Sequence, residues 1–168
     1  KVRPFINTLN GSYKEMQTAL QTQQFFDIFY EEQNVHMTVS KAFEDACIFD
    51  TGAIYIDRDN NSIKKCLPWQ VYIRPAELAY NKLTRVYYKQ NDYPVTLLPE
   101  DITKKFKKKV EYTDYGIYYD TFNKVKAHII AGHVVKTEPW NYDVLPFVFL
   151  YYSKPNIGTT SLSVVDIL

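Results

Sequence analysis

The chain has 168 residues, enough for one domain with a real core or for two small lobes sharing an interface. Lysine and arginine number 20 against 19 aspartate and glutamate, so the formal net charge of +1 gives no global reason to expect nucleic acid or an anionic membrane, and any electrostatic function must be local. A hydrophobic content of 46%, with 15 Tyr and 10 Phe, excludes intrinsic disorder and suits aromatic strand packing or tyrosine-rich interfaces.

In chain order, Ser12 followed three residues later by Glu15 is a capping-box arrangement, so a helix is expected to begin there. Met16, Ala19, Leu20, Phe26, Phe29 and Tyr30 keep helical spacing, and the polar stretch from Gln21 to Gln24 is expected to bend or break the helix. Next, Val39, Ala42, Phe43, Ala46 and Cys47 fall at i, i+3, i+4, i+7 and i+8. That pattern predicts a second helix with those residues inward, Glu44 and Asp45 facing water, and Gly52 as the stop. On that face Cys47 reads as a small apolar filler rather than a reactive thiol.

From Ala53 the period changes to two, and Asp59-Asn60-Asn61 between two alternating runs predicts a β-hairpin. Asp57, Asp59 and Asn61 match the first half of a calcium loop, but its sixth position is Ser62 rather than glycine and its twelfth is Pro68 rather than glutamate. Leu83 to Asn91 reads as a further strand. Pro99, Glu100 and Asp101 then open a helix that gathers Lys104, Lys105, Lys107, Lys108 and Lys109 toward its end, with Ile102, Phe106 and Val110 as a narrow apolar stripe. The lysine run has two readings: a solvated helix face, or contact with a phosphate backbone or an acidic partner. No base-reading pattern accompanies it.

Beyond it, alternation through short segments predicts a β-meander with turns near Asp114 to Gly116, Thr121 to Lys124 and Ala131 to Gly132. Val144 to Tyr152 is another strand, far short of the roughly 20 apolar residues a membrane-spanning helix needs. "GTTSLSVVDIL" then starts a helical pattern. A start at Lys1 without methionine and a stop within that pattern read as a fragment of something longer.

Chemistry is thinly signalled. Cys47 and Cys66 show no C-x-x-C spacing and no nearby histidine, so reduced thiols are expected rather than a disulfide or a zinc site. The available bases are His36, His128 and His133, the last two flanking the predicted turn Ile129 to Gly132 as strand-end residues. There is no G-x-S-x-G element and no phosphate-cradling glycine loop. No catalytic residue, cofactor or metal is expected, and the chain is not read as an enzyme.

The order of elements carries a resemblance. A helix leading into "AFEDACIFDTGAIYI", then "LPWQVYIRPAEL", a strand, a basic helix, a β-rich stretch ending in "VLPFVFLYY" and finally "GTTSLSVVDIL" resembles the portal (head-to-tail connector) proteins of tailed bacteriophages, the podovirus type most of all. Asp50-Thr51-Gly52-Ala53 is similar to the family's helix-glycine-strand junction, with an aspartate where a first glycine often stands. The run from Pro68 to Pro75 resembles a strand that ends in an aspartate-proline step, with Arg74 here before the proline.

The resemblance implies an α+β fold with helices packed on antiparallel β segments. Residues 1–95 would form the wing, 96–109 the first stem helix, 110–155 a small β-rich clip and 156–168 the start of a second stem helix. It also implies a homo-oligomeric, dodecameric ring at the capsid vertex, assembled in the host cytoplasm and carried in the virion. Double-stranded DNA would pass through it without sequence preference during packaging and ejection. Its partners would be the terminase large subunit, the tail adaptor and capsid proteins, with no membrane. Lys104, Lys105, Lys107, Lys108 and Lys109 are then candidate DNA or partner contacts, and Tyr115, Tyr118, Tyr119 and Phe122 candidate clip contacts between subunits. Two alternatives stand beside it: an α+β module whose tyrosine-rich sheet binds a protein or glycan, and a hydrolase using His128 or His133 with a nearby carboxylate.

Overall fold

The computed structural model of the chain describes residues 5–8, 11–79, 82–103 and 110–152. It is α+β, with helices set beside two antiparallel sheets. Helix α1 (Tyr13–Glu32) begins at the expected place, where the Ser12 backbone NH donates to the Glu15 carboxylate at 2.6 Å. It runs unbroken through Gln21 to Gln24, because glutamine and threonine are adequate helix formers and neither Gly nor Pro interrupts them. None of its residues is buried.

Asn34, in the left-handed region at φ 49°, turns the chain into α2 (Val35–Phe49). The face this helix buries is not the one its apolar spacing predicts. Val35, Ala42, Asp45 and Ala46 are buried, while Phe43 is 52% exposed. The cause is a close approach: a Cβ at Gly52 would lie 1.8 Å from the Ala42 carbonyl oxygen. Only a line of alanines fits against a backbone that near, so the contact runs along Ala42 and Ala46 and Phe43 is turned outward. Asp45 comes inward with them and is neutralised by Lys65 at 2.6 Å. Gly52 is therefore not the helix stop. The helix ends at Phe49, Asp50 takes φ 77°, and Gly52 sits inside the first strand.

That strand, β1 (Thr51–Asp57), forms the expected hairpin with β2 (Ser62–Cys66), Asp57 opposite Ser62. Asp57 accepts hydrogen bonds from the backbone NH of Asn60 at 3.2 Å, its side-chain amide at 2.9 Å and Lys64 Nζ at 3.0 Å, which closes the turn. On its other edge β1 pairs with β8 (Phe147–Tyr151), giving the order β2-β1-β8. Its central residues, Gly52 to Tyr55, are buried without alternation, as a strand covered on both faces should be.

The second sheet has the order β3-β4-β5-β6-β7, a meander built from β3 (Val71–Tyr72), β4 (Arg85–Pro94), β5 (Tyr112–Asp120), β6 (Val125–Ile130) and β7 (His133–Pro139). The run from Pro68 to Pro75 is not a continuous strand. A 3-10 turn at Pro68–Gln70 precedes the two residues of β3, and the short helix α3 (Pro75–Ala79) follows. The predicted turns over Thr121 to Lys124 and Ala131 to Gly132 are present, but Asp114 to Gly116 lie within β5. There glycine serves contact rather than turning: a Cβ on Gly116 would come within 2.5 Å of the Tyr87 ring lying across it from β4.

One core joins both sheets. Tyr55 and Phe147 from the first meet Tyr88, Tyr119 and Trp140 from the second and its following loop, with Val86, Ile117 and Ile130 filling between them. Aromatic pairs at these separations add about 0.5–1.5 kcal/mol each beyond the area they bury. β4 of the expected wing is laddered to β5 of the expected clip, and β8 of the clip to β1 of the wing. In the expected stem, a 3-10 turn (Val95–Leu97) and α4 (Glu100–Thr103) are present, with Ile102 fully buried. Lys104, Lys105, Lys107, Lys108 and Lys109, and the second stem helix expected over 156–168, lie outside the described residues.

Candidate functional site

Between the β1–β2 hairpin and the meander lies a cavity of about 330 Å³. Tyr55 from β1, Tyr88 and Tyr93 from β4 and Tyr115 from β5 line it. Asp57, Asp59 and Lys64 come from the hairpin, and His128 from the middle of β6. Strand period sets this up: Lys126 and His128 are two apart on β6 and share a face, and Glu138 stands opposite Lys126 on β7.

A chain of polar contacts runs behind the tyrosines. The Tyr115 hydroxyl and His128 Nδ1 are 2.6 Å apart, and His128 Nε2 lies 3.4 Å from Glu138 Oε2. Glu138 is also paired with Lys136, which reaches on to Asp101 in α4. Lys126, itself buried, is paired with Asp59 across the two sheets and lies 3.4 Å from Glu138. Arg58, at the hairpin tip, stacks 3.8 Å above the centre of the Tyr142 ring, which pins the hairpin to the loop before β8.

These surroundings set the protonation states. Hydrogen bonding to Lys136, opposed by burial and supported by His128, holds the Glu138 carboxyl down at about 2. Burial and the Lys126 ammonium push His128 below its ordinary value, against the pull of Glu138, so it is neutral near pH 7. Burial raises the phenols of Tyr55, Tyr88 and Tyr115, keeping them protonated. Burial also raises Asp57, but the bonds from Asn60 and Lys64 outweigh it and leave the group below the usual carboxylate range.

Both ring nitrogens of His128 are engaged, and among the described residues no serine, threonine or cysteine lines the cavity for it to activate. Burial pushes the Cys66 thiol up to about 12, so it stays protonated in the core. Among the described residues no group of three or more His, Cys, Asp or Glu is placed to hold a metal ion, and no helix is long and apolar enough to cross a membrane.

The residues singled out for subunit contact divide sharply. Tyr115 and Tyr119 are only 5% and 2% exposed; their rings belong to the core and not to a surface a neighbour can reach, because β5 is the central strand of its sheet and is covered there. The Tyr119 hydroxyl lies 2.8 Å from that of Tyr55. Tyr118 is partly buried, its hydroxyl donating to Asp120 at 3.1 Å. Phe122, at the β5–β6 turn, is 76% exposed. His133 begins β7 and is exposed, whereas His128 is a buried strand residue rather than a strand end. His128 has a carboxylate beside it, Glu138 at 3.4 Å, as the hydrolase alternative expects; what the sequence did not single out is the buried Lys126 next to them. Its one signal was the polar alternation inside the apolar strand "VKAHII". No known family model matches the chain, and no curated protein is detectably similar to it.

Proposed function

We propose that the chain is part of a tailed-phage portal subunit, a non-enzymatic component of a closed ring of about twelve copies that conducts double-stranded DNA and docks the packaging motor. The observation that carries this reading is the surface of the two N-terminal helices. Along α1, Tyr13, Met16, Leu20, Phe25 and Ile28 are all exposed, and α2 adds Met37, Phe43 and Ile48. A 20-residue helix with no buried residue and that much apolar surface needs a neighbour. A ring supplies one to every copy. The order of elements that carries the resemblance also supports the reading: a helix, the glycine-bearing strand β1, the strand β4, the basic segment at 104–109, then the remaining strands of the meander and the strand "FVFLY" follow one another along the chain.

In this reading the lysines at 104–109 hold DNA or a partner through charge alone, without base readout. Phe122, on its exposed turn, is the remaining candidate for contact at the clip. Light scattering on the full-length protein tests the proposal. A mass corresponding to a ring of about twelve subunits is expected, and a strictly monomeric full-length product would overturn it.

A further inference from the structure

His128 is shut in where the two sheets meet. It is 4% exposed and lines the cavity from β6, while Asp57, Asp59, Asn60 and Lys64 line it from the β1–β2 hairpin. From β5 the Tyr115 hydroxyl lies 2.6 Å from Nδ1, and from β7 Glu138 lies 3.4 Å from Nε2, with Lys136 opposite in register. Lys126 shares its face of β6, and the phenols of Tyr55, Tyr88 and Tyr93 come from β1 and β4. Beyond these, Asp57 is paired with Lys64, Asp59 with Lys126 and Asp101 of α4 with Lys136, and Arg58 stacks on Tyr142.

With His128 neutral these charges balance: Arg58, Lys64, Lys126 and Lys136 stand against Asp57, Asp59, Asp101 and Glu138. A proton on the imidazole adds a buried positive charge, and Glu138, the carboxylate in its reach, is already shared by Lys126 and Lys136. Burial and Lys126 accordingly hold His128 below its ordinary value. Only side chains fasten the exposed hairpin tip to the rest of the protein, Asp59 to Lys126 and Arg58 to Tyr142. Lifting that tip removes one wall of the cavity and lets water reach His128.

We propose that His128 makes the seating of the β1–β2 hairpin tip on the meander a pH-sensitive latch, closed while the imidazole is neutral and released in mild acid, when the open form takes up a proton that the closed form resists. Since the closed form has the lower value, the latch is at full strength above the ordinary value of about 6.5 and weakens as pH falls from there, by at most about tenfold per pH unit for one proton. Asp57, Asp101 and Glu138 are all held below the usual carboxylate range and stay charged at pH 5.0. This inference does not rest on the portal reading.

Hydrogen exchange of the full-length protein at pH 7.5 and 5.0 tests it, with protection expressed relative to an unstructured chain at the same pH. Once its ties are released, the end of the hairpin ladder, Ile56 with Ile63 and Asp57 with Ser62, is free to fray. Protection of the peptide spanning residues 54–66 is expected to be at least about fivefold lower at pH 5.0, while that of α2 is unchanged. In His128→Gln, which is neutral at both pH values, the drop is expected to vanish. Should that variant fail to fold, Asp59→Ala decides: with the tie already cut, hairpin protection is expected to be low at both pH values. The proposal is overturned by equal hairpin protection at the two pH values in the parent, by an equal loss in α2, or by a folded His128→Gln or Asp59→Ala variant that behaves like the parent.

Discussion

The carbonyl oxygen of Ala42 occupies the space a side chain on Gly52 would need: a Cβ there would stand 1.8 Å from it. Helix α2 and strand β1 are thus in backbone contact, and one glycine sets how α2 is rotated on the sheet. Gly52→Ala must push the two elements apart, at the upper end of overpacking costs, about 3 kcal/mol. Gly132→Ala is the control. Its site is open, and the cost there is the backbone penalty of φ 82° alone, about 1 kcal/mol. Urea denaturation of both variants measures the difference, and equal midpoints would contradict the close approach.

Asp120 closes the β5–β6 turn. It accepts from Arg85 Nε at 2.8 Å, the backbone NH groups of Phe122 and Asn123 at 3.0 and 2.8 Å, the Asn123 amide at 2.8 Å and the Tyr118 hydroxyl. Asp120→Ala strands these donors and is expected to cost about 3 kcal/mol, whereas Phe122→Ser at the same turn stays within about 0.5 kcal/mol. Thermal melts of the two variants check the contrast.

Acid stability should depend on the same carboxylate and on Glu138. Burial raises Asp120, but the bonds from Asn123, Arg85 and Tyr118 outweigh it and hold the group at about 2; Glu138 is also held at about 2, chiefly by Lys136. Folded values depressed below the unfolded ones mean that the folded protein releases these protons more easily. Their stabilisation is therefore complete above the unfolded values near 4 and lost as pH falls from there toward 2. Asp120→Asn and Glu138→Gln should each flatten the fall in stability across that window, as followed by denaturant midpoints at a series of pH values. An unchanged slope in both would contradict the assignment.

The buried hydroxyls of Tyr55 and Tyr119, 2.8 Å apart, should behave as a unit. Tyr55→Phe or Tyr119→Phe alone leaves a buried hydroxyl without its partner, at about 1–2 kcal/mol, while the double variant removes both and approaches the parent. A double-mutant cycle by urea denaturation reads the coupling directly. Additive losses would contradict it.

Much of the scaffold was legible because it is written in local chemistry. Ser12 and Glu15 mark the start of α1, Asp59 with Asn60 and Asn61 mark the first hairpin, and alternation marks the meander. What was not legible depends on distant pairs. Phe43 faces out because Gly52, nine residues on, brings β1 against Ala42. Tyr115 and Tyr119 are interior because β1, β8 and the loop carrying Trp140 cover β5, which the sequence of β5 does not record. The cavity was hidden for the same reason: His128, Glu138, Asp59 and Lys126 come from four positions that only strand register and sheet packing bring together.

Within the portal proposal, Leu20→Glu on the exposed face of α1 is expected to leave the fold intact, since the side chain is 61% exposed, and to block assembly of the full-length protein. Sedimentation would show monomers with an unchanged circular-dichroism melt. In phage, replacing Lys104, Lys105, Lys107 and Lys108 with glutamine is expected to reduce DNA packaging, and unchanged packaging would make that run a plain solvated face.

Electron microscopy of the full-length protein tests the central claim most directly. Closed rings of about twelve subunits around an axial channel are expected, with the exposed apolar residues of α1 covered by a neighbouring subunit. Particles that remain strictly monomeric, with that face open to solvent, would contradict it.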